Sequence, residues 1–104
     1  MHISVFDYRI QGIDDAGWSR ACDELAPAFA AVPGLVSKVW LRGEGDARGG
    51  VYLWEDKAAY DAFLASDLGK AVGSHPNIAD LRMRDYAVDE APTRVTRGVP
   101  TTVG

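Results

Sequence analysis

Along this chain the spacing of apolar residues switches from two to between three and four and back again, twice. A spacing of two marks a strand, and one near 3.6 marks a helix. His2 to Ile10 is rich in β-branched and aromatic residues and predicts a strand that Gln11-Gly12 breaks. Asp14 or Asp15 then caps a helix with an apolar stripe of Trp18, Cys22, Leu25, Phe29 and Val32. Pro27 lies inside this helix and predicts a kink; Pro33-Gly34 ends it. Leu35 to Arg42 and Val51 to Glu55 read as the next two strands, joined by a hairpin loop from Gly43 to Gly50. Asp56 caps a second helix, Lys57 to Ala65, which buries Ala59, Tyr60, Phe63 and Leu64, and a short helical piece spans Leu68 to Val72. Ile78 to Val88 is the last strand. The order β-α-β-β-α-β is the ferredoxin-like split unit, an α+β fold with a four-stranded antiparallel sheet and both helices on one side.

The 104 residues suit one domain, residues 1–90, followed by a tail or arm at 91–104 with two prolines and no period. A net charge of −4 argues against nucleic acid, because phosphate binding needs surplus Lys and Arg. The single cysteine, Cys22, allows neither an intrachain disulfide nor a four-cysteine zinc site. No apolar run approaches membrane-spanning length, and the first residues lack a basic segment followed by an apolar one. A cytoplasmic protein without membrane contact is expected.

The two-residue strand period sorts the strand residues into two sets. Ile3, Val5, Val39, Leu41, Val51, Leu53, Leu81 and Met83 form an aliphatic set, expected to face the helices. Phe6, Tyr8, Trp40, Tyr52, Trp54 and Tyr86, with Lys38, Arg42, Arg82 and Arg84, form an aromatic and cationic set, expected to face a second copy or a flat ligand. If Trp40 pairs with Tyr52, Lys38 lies opposite Trp54 and Arg42 opposite Gly50. A lone domain would expose the second set as an apolar patch, so a homodimer with its sheets face to face is predicted.

Pro33-Gly34-Leu35-Val36-Ser37-Lys38-Val39-Trp40, Gly49-Gly50-Val51-Tyr52-Leu53-Trp54 and Tyr86-Ala87-Val88-Asp89-Glu90 resemble the YdhR-like putative monooxygenases of the dimeric α/β-barrel superfamily, the antibiotic-biosynthesis-monooxygenase-like proteins. The resemblance spans residues 33–92, with a weaker match before them. It implies a homodimer whose sheets enclose a barrel, and kinship with oxygenases that use no metal or flavin, haem-degrading enzymes, lactone isomerases and polyketide cyclases. Trp54-Glu55-Asp56-Lys57-Ala58-Ala59-Tyr60 is similar to the Trp-x-Ser-x-x-Ala-aromatic signature of cofactor-free oxygenases, with Asp56 in place of the Ser. Their first-strand Asn is missing; Asp7 is the nearest polar residue. The late histidine of the haem degraders is matched only by His75, one turn further on and just before Pro76. No cofactor is therefore expected, haem included.

Trp54, His75 and Tyr52 are the catalytic candidates, and Phe6, Tyr8, Lys38, Trp40, Arg82 and Tyr86 the substrate-binding ones. The rings either stack on a planar substrate or fill a dimer interface. Arg82 or Lys38 either stabilises negative charge or pairs with a neighbouring carboxylate. His75 either moves a proton or sits exposed in a loop. Cys22 faces the helix core as an inert thiol. The leading expectation is a small homodimeric enzyme, a cofactor-independent monooxygenase acting on a planar apolar aromatic or polyketide-like molecule. The alternatives are an isomerase or cyclase on the same scaffold, and a non-catalytic binding module. A cavity decides between enzyme and module, either among Phe6, Tyr52, Trp54 and Tyr86 or under the helices near Trp18 and Met83.

Overall fold

The computed structural model describes residues 1–100. Strands β1 (His2–Ile10), β2 (Leu35–Arg42), β3 (Ala47–Trp54) and β4 (Ile78–Ala87) alternate with helices α1 (Asp15–Ala30), α2 (Lys57–Ala65) and α3 (Asp67–Gly73); α4 (Glu90–Val95) follows β4. Side chains set three of the helix starts. Asp14 accepts from the Gly17 N–H at 2.8 Å, Asp56 from Ala59 at 2.8 Å and Ser66 from Gly69 at 3.1 Å. Each satisfies a backbone donor that the first helical turn leaves free. The loop between β2 and β3 is shorter than predicted, because Ala47 to Gly50 already belong to β3.

The sheet order is β2-β3-β1-β4, with every neighbouring pair antiparallel. This is the predicted ferredoxin-like arrangement. The predicted barrel is not formed: β2 and β4 lie at opposite edges, so the four-stranded sheet is open.

In β1, β2 and β3 the two strand sets are the reverse of the expectation. Phe6, Tyr52 and Trp54 pack with Phe29 of α1 and Tyr60 and Phe63 of α2 into one buried aromatic cluster. Val39 and Leu41, expected in the core, are exposed, Val39 at 56%. The aromatic face therefore lies beneath the helices, and the aliphatic face of β1, β2 and β3 is turned away from them. β4 keeps the orientation expected of it, with Leu81 and Met83 on the helix side, and so runs out of phase with β1. Phe6 pairs with Met83, while Ile3 pairs with Tyr86 and Val5 with Arg84, so Tyr86, Arg84 and Arg82 share the outer face. The β2–β3 register differs by two residues: Trp40 lies opposite Gly50, Lys38 opposite Tyr52 and Arg42 opposite Arg48.

Ring packing accounts for the orientation. The helices contribute Trp18, Phe29, Tyr60 and Phe63 as their buried residues. Tyr52 stacks on Trp54 at 5.8 Å, and Trp54 lies 5.2 Å from Phe63. Such pairs add roughly 0.5–1.5 kcal/mol each beyond the area they bury. Trp54 is wholly buried, and its indole N–H donates to Ser4 Oγ at 2.9 Å, which makes that burial tolerable.

Candidate functional site

The β2–β3 hairpin is tied to the start of α1 by charge. The buried Arg48 donates to Asp15 Oδ1 at 2.8 Å and to the Gly45 and Ala47 carbonyls at 2.9 and 2.7 Å. Arg42 reaches the other Asp15 oxygen at 3.2 Å. Between α1 and the sheet these ties leave a cleft of about 300 Å³, lined among others by Tyr8, Trp18, Cys22, Trp40 and Arg48. A second chamber of about 260 Å³ runs along β2. The two share Ala26 and Trp40, and the second carries Lys38 and Phe29.

Lys38 sits in an aromatic box. Its Nζ lies 3.3 Å from the ring centre of Phe29, 3.4 Å from that of Trp40 and 4.7 Å from that of Tyr52. Gly50 makes room for it: a Cβ there would stand 3.3 Å from Lys38 Cε. Among the described residues no carboxylate pairs with Lys38. Burial lowers its amine from 10.5 to about 7, slightly opposed by the Cys22 thiolate form. The ring faces also favour the ammonium and oppose the fall. The amine therefore exchanges protons near neutrality, which an exposed lysine does not.

Three other ionisable groups near Lys38 move the opposite way. Burial raises the Tyr8 hydroxyl from 10.0 to about 12, with Cys22 adding to the rise and Arg48 opposing it. Burial likewise raises Tyr52 and Cys22. At neutral pH all three keep their protons, so Tyr8 and Tyr52 are hydrogen-bond donors and Lys38 is the proton acceptor among them.

The remaining sequence candidates scatter. Phe6, Tyr52 and Trp54 are core residues, with Tyr52 at the boundary of the Lys38 box. His75 accepts the Asn77 N–H on Nδ1 at 3.1 Å and meets Trp18 edge-on at 5.7 Å. It touches the wall of the cleft through Trp18 without lining it. Arg82 and Tyr86 are exposed on the far side of the sheet. Of the nine candidates, Tyr8, Lys38 and Trp40 are brought together around the cavity. The cavity lies at the second place named by the sequence, under the helix near Trp18, whereas Met83 is exposed on the edge strand. Arg48 was missed. The signal was the run of alternate positions 48, 50, 52 and 54, which places Arg48 on the strand face of Tyr52 and Trp54.

This open ferredoxin-like fold is shared with solved structures of low sequence identity. A putative antibiotic biosynthesis monooxygenase from Deinococcus radiodurans is similar in structure, with a TM-score of 0.72, 20% identity, and 88% of this chain and 95% of that one covered. SnoaB, a cofactor-independent oxygenase from Streptomyces nogalater, is similar at a TM-score of 0.66 and 17% identity, covering 84% and 92%. The heme-degrader MhuD from Mycobacterium tuberculosis, with two hemes bound in its active site, is similar at 0.66 and 17%, covering 86% and 96%. No curated protein matches the sequence. The chain belongs to the family described as putative mono-oxygenase ydhR, whose model matches residues 3–99.

No histidine lines either chamber: the His75 ring packs against Trp18 outside both. No helix among the described residues is long and apolar enough to cross a membrane.

Proposed function

We propose that this chain is a cofactor-independent monooxygenase for planar, electron-rich aromatic or polyketide-like molecules, bound in the cleft beneath α1. The observation that carries this reading is Lys38, an amine without a carboxylate partner, buried among three rings beside a cavity. Trp40 and Trp18 offer ring faces and edges for a flat substrate. Neutral Lys38 takes a proton from an acidic C–H or phenol of the substrate, and the resulting ammonium holds the anion in place. That anion is the electron donor to oxygen. For an activated ring methylene the balance is closed: the CH₂ becomes C=O, one oxygen atom is retained, and the other leaves as water with the two hydrogens. The protonated Lys38 returns one proton to the departing oxygen and the Tyr8 hydroxyl gives a second, and the remaining C–H proton, released as the C=O forms, restores Tyr8.

The active form is a homodimer paired through the outer sheet face. Support comes from Val39 and Leu41, exposed on the sheet face turned away from the aromatic core, beside Val51 and Val5.

Oxygen uptake with a hydroxylated anthrone, a flat three-ring ketone with an acidic methylene, tests the reading. Wild-type protein consumes one O₂ per quinone formed, and Lys38→Met lowers kcat at least 100-fold while the fold persists by circular dichroism. Lack of uptake with anthrones and naphthols alike would sink the oxygenase reading. Rearrangement of the ring system without uptake would instead assign an isomerase or cyclase.

A further inference from the structure

We infer that Lys38 is an imine-forming residue, and that the chamber along β2 captures aromatic aldehydes covalently through its Nζ. Imine capture is independent of the oxygenase reading. Lys57 is held by Asp61 at 3.0 Å, and the Met1 amine by Glu90 at 3.1 Å. Lys38 instead ends among Phe29, Trp40 and Tyr52. An amine attacks a carbonyl only in its neutral form, and a desolvated lysine away from carboxylates is the one that holds that form near pH 7.

Space and shape agree. Lys38 lines a chamber of about 260 Å³ whose other walls include Ala26, Ala30, Leu35 and Trp40, so the amine borders an apolar volume large enough for one aromatic ring. Gly50 leaves room for the Lys38 stem, since a Cβ there would stand 3.3 Å from Cε. The facing titratable groups are Cys22 of α1, Tyr52 of β3 and Tyr8 of β1, all protonated at neutral pH. None competes as a nucleophile there. Nζ adds to the carbonyl carbon, the carbinolamine takes a proton from solvent and loses its hydroxyl as water, and the remaining Nζ–H proton returns to solvent. No oxidant or reductant takes part in forming the imine.

The three lysines of the chain, Lys38, Lys57 and Lys70, make the test internal. The folded protein is incubated with benzaldehyde and sodium cyanoborohydride at pH 7.5, and peptides are quantified by mass spectrometry. The reductant turns each imine into a stable benzylamine. Labelling of Lys38 at least tenfold faster than Lys57 and Lys70, with the three rates converging in 6 M urea, is the expected result. Labelling of Lys38 at the rate of the two exposed lysines or below it overturns the assignment. Trapping requires neither oxygen nor turnover, so its outcome is separable from that of the uptake assay.

Discussion

Lys38 is the residue on which the chemistry turns, and its proton has a thermodynamic signature. Folding lowers its amine from 10.5 to about 7, so between those values the unfolded chain binds the extra proton. Stability must then rise with pH from about 7 upward. The rise ends near pH 9, where the unfolded chain begins to lose the Cys22 proton that burial retains in the fold, and Tyr8 and Tyr52 reverse it further. A gain of ~1–3 kcal/mol between pH 7 and 9 is anticipated, the ring faces offsetting part of the burial penalty. Urea titrations at several pH values measure it, and Lys38→Met should abolish the slope and raise the midpoint at pH 7. Trp54 is a different kind of residue. Its indole nitrogen is the partner of the buried Ser4 hydroxyl, so Trp54→Phe strands that hydroxyl. The variant should lose ~1–3 kcal/mol by urea titration, whereas a second change of Ser4 to Ala should recover part of it.

At the scale of elements, the four strands and α1 to α3 were legible because capping residues and periodicity are local, whereas α4 lies in the stretch expected to be a tail and has no side-chain cap to mark it. The limits of β1, α1, β2 and α2 follow from Asp14, Pro33-Gly34 and Asp56, each acting within a turn of its own position. The phase of β4 relative to β1 was not legible. No hairpin joins β4 to β1; α2 and α3 intervene, and the pairing shifts between Asp7 and Arg9 where Asp80 adopts φ 55°. A shift of one residue turns every side chain over, which is why Tyr86 and Arg82 stand on the opposite face from Phe6. The α1–β2 connection shows the reverse case, a local residue with a tertiary constraint. Gly34 has φ 79°, and a Cβ there would collide with the Cβ of Ala59 on α2. Gly34→Ala therefore combines a left-handed backbone with a clash and should cost ~2 kcal/mol or more, read as a fall in Tm. Gly45, also in the left-handed region but with open space around it, should tolerate Ala at a cost of only ~1 kcal/mol.

At the scale of the molecule, the open sheet leaves an aliphatic outer face beside a completed core. Val39 and Leu41 lie on the edge strand of that face. Replacing both with Lys should convert the proposed dimer to a monomer in multi-angle light scattering at micromolar concentration, with the far-ultraviolet circular dichroism unchanged. A wild-type protein that already runs as a monomer would remove the pairing. Oxygen uptake by the monomeric variant then shows whether one cleft works alone; the cleft residues Tyr8, Lys38 and Trp40 all come from one chain, so substantial turnover is anticipated.

Local chemistry along the chain was enough to place its four strands and α1 to α3 and to sort β1, β2 and β3 into an aromatic set and an aliphatic one, since both depend on neighbours a few positions apart. Which set met the helices was a tertiary decision. Both sets are apolar enough to be buried, so hydrophobicity alone could not rank them; the rings of Phe29, Tyr60 and Phe63 did, by packing with Phe6, Tyr52 and Trp54. That choice carried Lys38 out of a supposed subunit interface and into a cleft, where loss of water rather than any neighbouring charge brought its amine toward neutrality.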